Sequence, residues 1–296
     1  MRCLTNKRAS STKKRAASKT AHSAAKAPAQ SRTRTRLDIA VAEAACVSRE
    51  RAQGLILAGD VRVNGVPQRK AGFAVPLGAT LDISKEERYV SRGGYKLERA
   101  LREFEWLPAG LRCLDVGAST GGFTDCLLQH GALSVTAVDV GYGHLAWKLR
   151  QDPRVRVVER TNFRHAEAGS IGAPFDFVSV DVSFISLTKL APALGAALDP
   201  GGRIVALVKP QFEAGRAAVE RGGVVRASDA QIGAVRNVIT SFNAAGLACR
   251  KLTYSDLKGR AGNIEFLLGA QRNGTPLSLD AAGVVRKAHE ALDHGE

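Results

Sequence analysis

The sequence predicts an α/β protein in two parts, a small mixed module followed by a larger sheet whose strands are mostly parallel. Three observations carry that reading. From residue 111 onward short apolar runs alternate with stretches of helical period. Several of those runs stop abruptly on Asp, Gly or Lys. A change of composition at Leu37 separates everything that follows from a basic opening segment. The 296 residues suffice for one full-sized domain and a smaller one. Its 45% hydrophobic and 24% charged residues are those of a globular chain, so a buried core is expected.

The net charge of +15 is unevenly spread. Residues 1–36 hold eleven Lys or Arg and no acid, among Ala, Ser and Thr without apolar periodicity. Residues 1–35 therefore read as a disordered basic extension: a solubilising tail, an arm for nucleic acid phosphates, or, from its Arg and Ser content, an organellar transit peptide. No apolar run approaches the roughly 18 residues that cross a bilayer, and no secretory core follows the basic start. A cytoplasmic address with no membrane partner is the expectation. Cys3, Cys46, Cys113, Cys126 and Cys249 show no CxxC pair and no His at ligand spacing. They read as reduced thiols, mostly buried, and no metal site is expected.

The small module occupies residues 36–89. Leu37, Ala40, Val41 and Ala44 recur at helical spacing. Ser48 is placed to cap a second helix that runs through Leu55, Ile56 and Leu57 to a C-cap at Gly59. VRVNGVPQRK then reads as a strand, a tight turn at Asn64-Gly65 and a return strand, and LGATLDI adds another. Seven basic and seven acidic residues balance between 37 and 89, so net charge does not argue for nucleic acid here. Arrangement leaves two readings open: Arg49, Arg51, Arg62, Arg69 and Lys70 converge on one face, or they are ordinary solvated side chains.

Residues 90–95 read as a linker, with Gly93-Gly94 giving the chain room to turn. Beyond it, LRCLDVG, SVTAVDVG, RVRVVER, FDFVSVDVSF, GRIVALVKP and NIEFLLGA are the strands, with helices expected at 143–150, 186–198 and 228–245. In such sheets ligands bind beyond the carboxyl ends of the strands. The loop Asp115-Val116-Gly117-Ala118-Ser119-Thr120-Gly121-Gly122-Phe123 lies at such an end. Gly117 permits a sharp departure from the strand, and Gly121 and Gly122 let a ligand approach the backbone. The loop has neither the Lys-Ser/Thr of a phosphate cradle nor GxGxxG spacing. Asp139, ending the next strand, is placed to accept from ribose hydroxyls. Acid and loop together suit S-adenosyl-L-methionine, with Asp115 either orienting the methionine amino group or bracing the loop.

Asp181 ends FVSVD, Lys209 ends RIVALVK and Glu265 lies inside NIEFLL. A charge that interrupts an apolar run is costly unless paired, so three of them ask for a common explanation. Lys96 joins them if its helix docks on the sheet through Leu97, Ala100, Leu101 and Phe104. Two ordinary salt bridges or one catalytic cluster both satisfy the pattern.

Two resemblances narrow these choices. RLDIAVAEA and SRERAQGLILAGDVRVNG make residues 36–83 similar to the RNA-binding domain named after the fourth protein of the small ribosomal subunit. That resemblance implies RNA contacts from Ser48, Arg49, Arg51 and the 59–70 region, which holds Arg62, Arg69 and Lys70. SRGGYKLERAL, VSVDVSFISL, ALVKPQFEAGR and GNIEFLL resemble, in order, the Lys-Asp-Lys-Glu tetrad of FtsJ-type ribose 2′-O-methyltransferases. The two-module chain, over 36–270, is similar to the TlyA family, known both as hemolysin A and as ribosomal RNA methyltransferases.

The resemblance implies a Rossmann-like, S-adenosyl-L-methionine-dependent methyltransferase domain at 96–270, followed by a C-terminal extension at 271–296. It implies a tetrad of Lys96, Asp181, Lys209 and Glu265, and an adenine-side Asn162. Asp181 is also assigned to the cofactor side. The implied reaction is methylation of a cytidine ribose in ribosomal RNA, of the large subunit alone or of both subunits. The partners are ribosomal subunits or assembly particles, met by a monomer. Lys209 is read as general base, with Lys96 lowering its proton affinity and the two carboxylates holding it. Phe184 reads as a base-stacking ring or a loop-packing one, and 213–226 as a phosphate-clamping lid or a solvated connector. Against these stand a pseudouridine synthase, which the 115–123 loop disfavours, a membrane-active hemolysin, and a ribosome-assembly factor without chemistry.

Overall fold

The computed structural model describes residues 34–83 and 88–293, so the expected basic extension and Cys3 lie almost wholly outside the described residues. Two compact units are divided between residues 85 and 86.

The first unit holds α1 (Leu37–Ala45), α2 (Arg49–Ala58), β1 (Val61–Val63), β2 (Val66–Pro67) and β3 (Leu81–Ile83), with sheet order β2-β1-β3. Ser48 Oγ accepts the Arg51 amide at 3.2 Å to cap α2, and Gly59 ends it in the left-handed region. Asn64 and Gly65 both carry positive φ, as a two-residue hairpin turn between antiparallel β1 and β2 requires. Leu37, Val41, Ala52, Ile56 and Val61 fill a small core. Asp38 has no exposed surface. It accepts from Arg36 at 2.9 Å, Arg49 at 3.0 Å and Gln53 at 3.1 Å. Arg36 foremost, then Gln53 and Arg49, hold its carboxyl well below the usual carboxylate range.

The second unit begins with α3 (Gly93–Phe104), β4 (Arg112–Val116), α4 (Gly122–Gln129), β5 (Ser134–Val138), α5 (Trp147–Arg150) and β6 (Val155–Val158). It continues through α6 (Ala168–Ile171), β7 (Phe175–Val180), α7 (Ala191–Ala197), β8 (Leu198–Val208), α8 (Pro210–Glu213), α9 (Ser228–Ala244), β9 (Leu247–Tyr254), β10 (Phe266–Arg272) and α10 (Ala281–Asp293). The strands form one sheet in the order β6-β5-β4-β7-β8-β10-β9, the first five parallel and β10 antiparallel to both its neighbours. This is the parallel-rich α/β architecture the sequence predicts.

Strand side chains alternate between two cores, as a two-residue period requires. Ile204, Ala206 and Val208 face the core beneath α7, α9 and α10, while Val205 and Leu207 face α3 and α4. Leu97, Ala100, Leu101 and Phe104 of α3 are all buried, the expected stripe. Ala281, Val285 and Ala288 of α10 lie in the first of these cores. The stretch 271–296, expected as an appended extension, thus contributes a helix that closes one face of the sheet.

Two further expectations are corrected. Gly93 and Gly94 do not form a linker turn; they are the first residues of α3. Tyr89, read with the small module, is fully buried in the second unit's core, and a Cβ on Gly94 would stand 2.2 Å from its ring. Close packing, not free dihedral angles, explains the glycine. The helix expected at 143–150 begins only at Trp147, and that at 186–198 divides into a 3-10 turn at 187–189 and α7. Cys113, Cys126 and Cys249 are buried thiols and Cys46 is exposed.

Candidate active site

Asp181, Lys209 and Glu265 meet because of strand register. Val180 pairs with both Val116 and Ala206, and Val208 pairs with Phe266. The residue after each parallel strand, and the residue before antiparallel β10, therefore emerge at one edge of the sheet. That edge is the carboxyl end of β4, β5, β7 and β8, where this topology leaves a crevice. α3 packs on β10 and β9, with Gly269 leaving room for Phe104, whose ring would come within 3.0 Å of a Cβ there. Lys96, in the first turn of α3, is carried to the same edge.

The four charges form two ion pairs. Lys96 Nζ donates to Glu265 Oε2 at 2.5 Å, and Lys209 Nζ faces Asp181 Oδ1 at 2.6 Å while donating to Ser183 Oγ at 3.1 Å. Glu265 is 3% exposed and Lys209 9%, and each of these buried charges has an opposite charge beside it. Gly259 closes against Glu265: a Cβ there would come within 2.5 Å of Oε1.

The glycine-rich loop leaves β4 at Gly117, whose φ is +84° and whose Cβ would fall 2.5 Å from the Asp181 carbonyl. Only glycine allows that approach of the two loops. The amides of Gly117 and Ala118 both donate to Val138 O, at 2.8 and 3.2 Å. The Ser119 amide donates to Asp139 Oδ2 at 2.8 Å, and the Gly141 amide to Oδ1 at 2.6 Å. Asp139 thus braces the loop from a half-buried position that leaves further lone pairs for a ligand. Ser119 and Thr120 are exposed at the tip, while Phe123 is buried.

Gly121 and Gly122, read as room for a ligand, are occupied by protein. A Cβ on Gly121 would meet Leu149 at 2.3 Å, and one on Gly122 would meet Ser91 Oγ at 2.2 Å. These glycines let α5 and the start of α3 pack on α4. Asp115 is fully enclosed, accepting from Thr124 Oγ1 at 2.7 Å and Ser179 Oγ at 3.1 Å, and burial pushes its carboxyl up to about 7. Its side chain braces α4 against β7. Asn162 is exposed and its Oδ1 accepts the Arg164 amide at 3.1 Å, the local bond of a turn asparagine.

Residues 89–272 match the family described as FtsJ-like methyltransferase, and residues 35–81 match the S4 domain. The chain belongs to the FtsJ-like methyltransferases. Among relatives of known name, it is 45% identical over 267 residues to YqxC, a proposed rRNA methyltransferase of Bacillus subtilis, covering 87% of this chain and 95% of that one. It is 44% identical over 250 residues to the 16S/23S rRNA (cytidine-2′-O)-methyltransferase TlyA of Mycobacterium tuberculosis, covering 84% and 93%. A solved structure of a proposed hemolysin from Streptococcus thermophilus superimposes with a TM-score of 0.70 at 41% identity, over 88% of this chain and 97% of that one. The cofactor of this FtsJ-like methyltransferase is S-adenosyl-L-methionine.

In the first unit Ser48, Arg49, Arg51, Arg62, Arg69 and Lys70 are all exposed. Ser48 is spent on the α2 cap, Arg49 on Asp38, and Arg62 donates to Gly65 O at 3.2 Å. Arg69 lies along Gly59, 3.2 Å from where a Cβ would stand.

Several residues of this FtsJ-like methyltransferase escape sequence reasoning. Glu213 accepts from Ser186 Oγ at 2.5 Å and Leu187 N at 2.8 Å, fastening the loop that carries Phe184. Phe184 is 92% exposed with φ of +65°, a strained setting for an aromatic side chain. Asn263 receives the Val225 amide at 2.9 Å and donates to Gly223 O at 2.8 Å, holding the 213–226 segment beside the turn that seats Glu265. Tyr142 is exposed beneath the Arg160 guanidinium at 4.3 Å. The only sequence signal for Tyr142 is an aromatic residue in a glycine-rich loop; Glu213 and Asn263 show none, because their partners are remote or backbone.

Proposed function

We propose that this protein transfers a methyl group from S-adenosyl-L-methionine to a cytidine ribose 2′-hydroxyl in ribosomal RNA, in the large subunit and also in the small. The two ion pairs Lys96–Glu265 and Lys209–Asp181, gathered at the cofactor edge of the sheet, carry the reading. It is supported by the 44% identical relative named for cytidine 2′-O-methylation of both 16S and 23S RNA.

The residues of the cofactor edge fit the donor: an acid ends β5, and the Gly117–Thr120 loop turns tightly beside it. Asp139 would hold the ribose of S-adenosyl-L-methionine. The 117–123 loop would hold its methionine part, with Asp115 acting through α4, and Asn162 would lie on the adenine side. When bound, the cofactor supplies an electrophilic methyl carbon on a cationic sulfur. A ribose hydroxyl is a poor nucleophile at neutral pH, so the chain's task is alignment and proton removal. Lys209, in its unprotonated form, accepts the hydroxyl proton at Nζ. Asp181 and Ser183 orient that nitrogen, and Glu265 holds Lys96 at the same edge of the sheet. Phe184 offers a ring on which the target base stacks once drawn out of the RNA.

The first unit brings the RNA, through Arg51, Arg62, Arg69 and Lys70, with Ser48 and Arg49 shaping the same face. The enzyme acts as a cytoplasmic monomer on ribosomal particles; among the described residues no helix is long and apolar enough to cross a membrane.

The test is tritiated methyl transfer from S-adenosyl-L-methionine to separated, unmodified ribosomal subunits, comparing wild type with Lys209→Ala. Label on a ribose 2′-oxygen of cytidine, lost in the variant, is expected. Cofactor binding without transfer to either subunit would remove ribosomal RNA as the substrate.

A further inference from the structure

We propose that Phe212 is a positioning residue for the methyl transfer: its ring sets Phe184 at the separation from Lys209 that the base and 2′-hydroxyl of one nucleotide require. The proposal rests on reading the acceptor as an RNA ribose whose base stacks on Phe184. It concerns a residue that acts through that ring.

Register brings the two rings together. β7 and β8 are parallel, and Val180 stands opposite Ala206, 26 residues further along the chain. Beyond the strand ends the same offset recurs in side-chain contacts. Lys209 Nζ donates to Ser183 Oγ at 3.1 Å, and the Leu187 amide donates to Glu213 Oε1 at 2.8 Å. Segments 181–187 and 209–213 therefore continue the ladder as one fastened pair. The Phe184 and Phe212 rings meet between those two ties, with centroids 5.4 Å apart and planes at 53°. That separation lies inside the roughly 4.5–7 Å at which aromatic pairs attract.

Core packing does not account for Phe212. It is half-buried, yet it belongs to neither hydrophobic core of the second unit, nor to the residues packed against them. Among the described residues its ring meets one other ring, that of Phe184. Phe184 needs such a support. With φ of +65° and 92% of its surface exposed, neither backbone preference nor burial holds its side chain. The tilted contact with Phe212 leaves most of that ring open to a base.

The same turn holds the proton acceptor. The Phe212 amide donates to Lys209 O at 2.9 Å, so Lys209 and the ring that supports Phe184 are joined by one turn of α8. In a nucleotide the base and the 2′-hydroxyl stand on adjacent ribose carbons. A base seated on Phe184 therefore fixes where its own hydroxyl meets Lys209. Misplacing the reacting groups by about 1 Å can cost a factor of about 10². Phe212 removes that freedom from an otherwise exposed ring.

The test is a double-mutant cycle read by methyl transfer from S-adenosyl-L-methionine to unmodified ribosomal subunits. It compares full-length wild type, Phe184→Ala, Phe212→Ala, the double variant and Phe212→Tyr. Phe212→Ala is expected to lower kcat/KM by roughly 2- to 10-fold, the span of an aromatic pair. Affinity for S-adenosyl-L-methionine and the pH dependence of kcat should stay as in wild type. Phe184→Ala is expected to lower kcat/KM by about 5-fold or more through lost stacking. In that background Phe212→Ala should change kcat/KM by less than about 2-fold. Phe212→Tyr, which keeps the ring, should restore most of the rate. Thermal midpoints on the same preparations report that the fold is intact. If Phe212→Ala unfolds, Phe212→Leu, which keeps apolar volume without a ring, takes its place in the cycle. Wild-type kinetics in Phe212→Ala, or the same loss with and without Phe184, would overturn the assignment and leave the proposed reaction standing. A wild type that transfers no methyl group to either subunit would overturn the reaction and the assignment with it.

Discussion

Lys209 Nζ stands 2.6 Å from Asp181 Oδ1, yet its hydrogen bond goes to Ser183 Oγ. The carboxylate supplies charge and the hydroxyl supplies direction, which leaves the ammonium held from one side. Lys209→Ala should lower kcat for ribose methylation by about 10²–10⁴-fold, the range for loss of a general base. S-adenosyl-L-methionine affinity should change little, measured by calorimetry. Asp181→Ala should also destabilise the fold by roughly 3 kcal/mol, because it leaves a buried cation unpaired. Wild-type turnover in Lys209→Ala would show that the proton leaves by another route.

A Cβ on Gly94 would meet the Cβ and Cγ of Tyr89 rather than its movable tip, so the ring has little room to yield. Gly94→Ala should cost about 1–3 kcal/mol or more through overpacking, read from urea unfolding. In a Tyr89→Ala background the same change should cost far less, a non-additivity expected of residues in contact. Equal costs in both backgrounds would mean that the ring does not set the choice of glycine, since helical preference alone favours alanine.

How much of this was legible in sequence divides along one line. Charges that interrupt apolar strands stand out because period and burial are local: Asp181, Lys209 and Glu265 mark themselves, and register does the rest. Lys96 was legible through the stripe of α3. Glycines were misread because a glycine announces space without saying what fills it. Gly121 and Gly122 looked like ligand clearance and are filled by Leu149 and Ser91. The pairing of Arg49 with Asp38, a carboxylate buried eleven residues earlier, has no sequence pattern. α10 was passed over although Ala281, Val285 and Ala288 recur at helical spacing, because the family resemblance was traced only as far as residue 270.

Glu213 fastens the loop that presents Phe184, reaching both Ser186 and Leu187. Burial raises its pKa above the ordinary carboxylate value. Glu213→Ala should leave the Leu187 amide without its acceptor and free the loop from its strained φ. Turnover should fall several-fold, with KM for RNA rising and cofactor affinity unchanged. Glu213→Gln should restore most of the activity, since an amide accepts from Leu187 and donates to Ser186. An alanine variant with wild-type KM and kcat would separate loop position from catalysis.

Asp115 makes the clearest pH prediction. Burial, opposed by the Thr124 and Ser179 hydroxyls, raises its pKa from 3.8 to about 7. Between those values the unfolded chain has released this proton and the folded chain retains it, so the folded state binds more protons and stability falls as pH rises. The contribution is complete below 3.8 and has been lost once pH passes about 7. Asp115→Asn keeps a donor and an acceptor for the two hydroxyls but has no proton to lose. Its stability should therefore gain on wild type from pH 4 to 7, by up to roughly 4 kcal/mol at 1.36 kcal/mol per pKa unit. Urea unfolding at pH 4.5, 6 and 7.5 measures the difference. Parallel curves for the two proteins would show that Asp115 is ionised in the fold, and that Thr124 and Ser179 outweigh its burial.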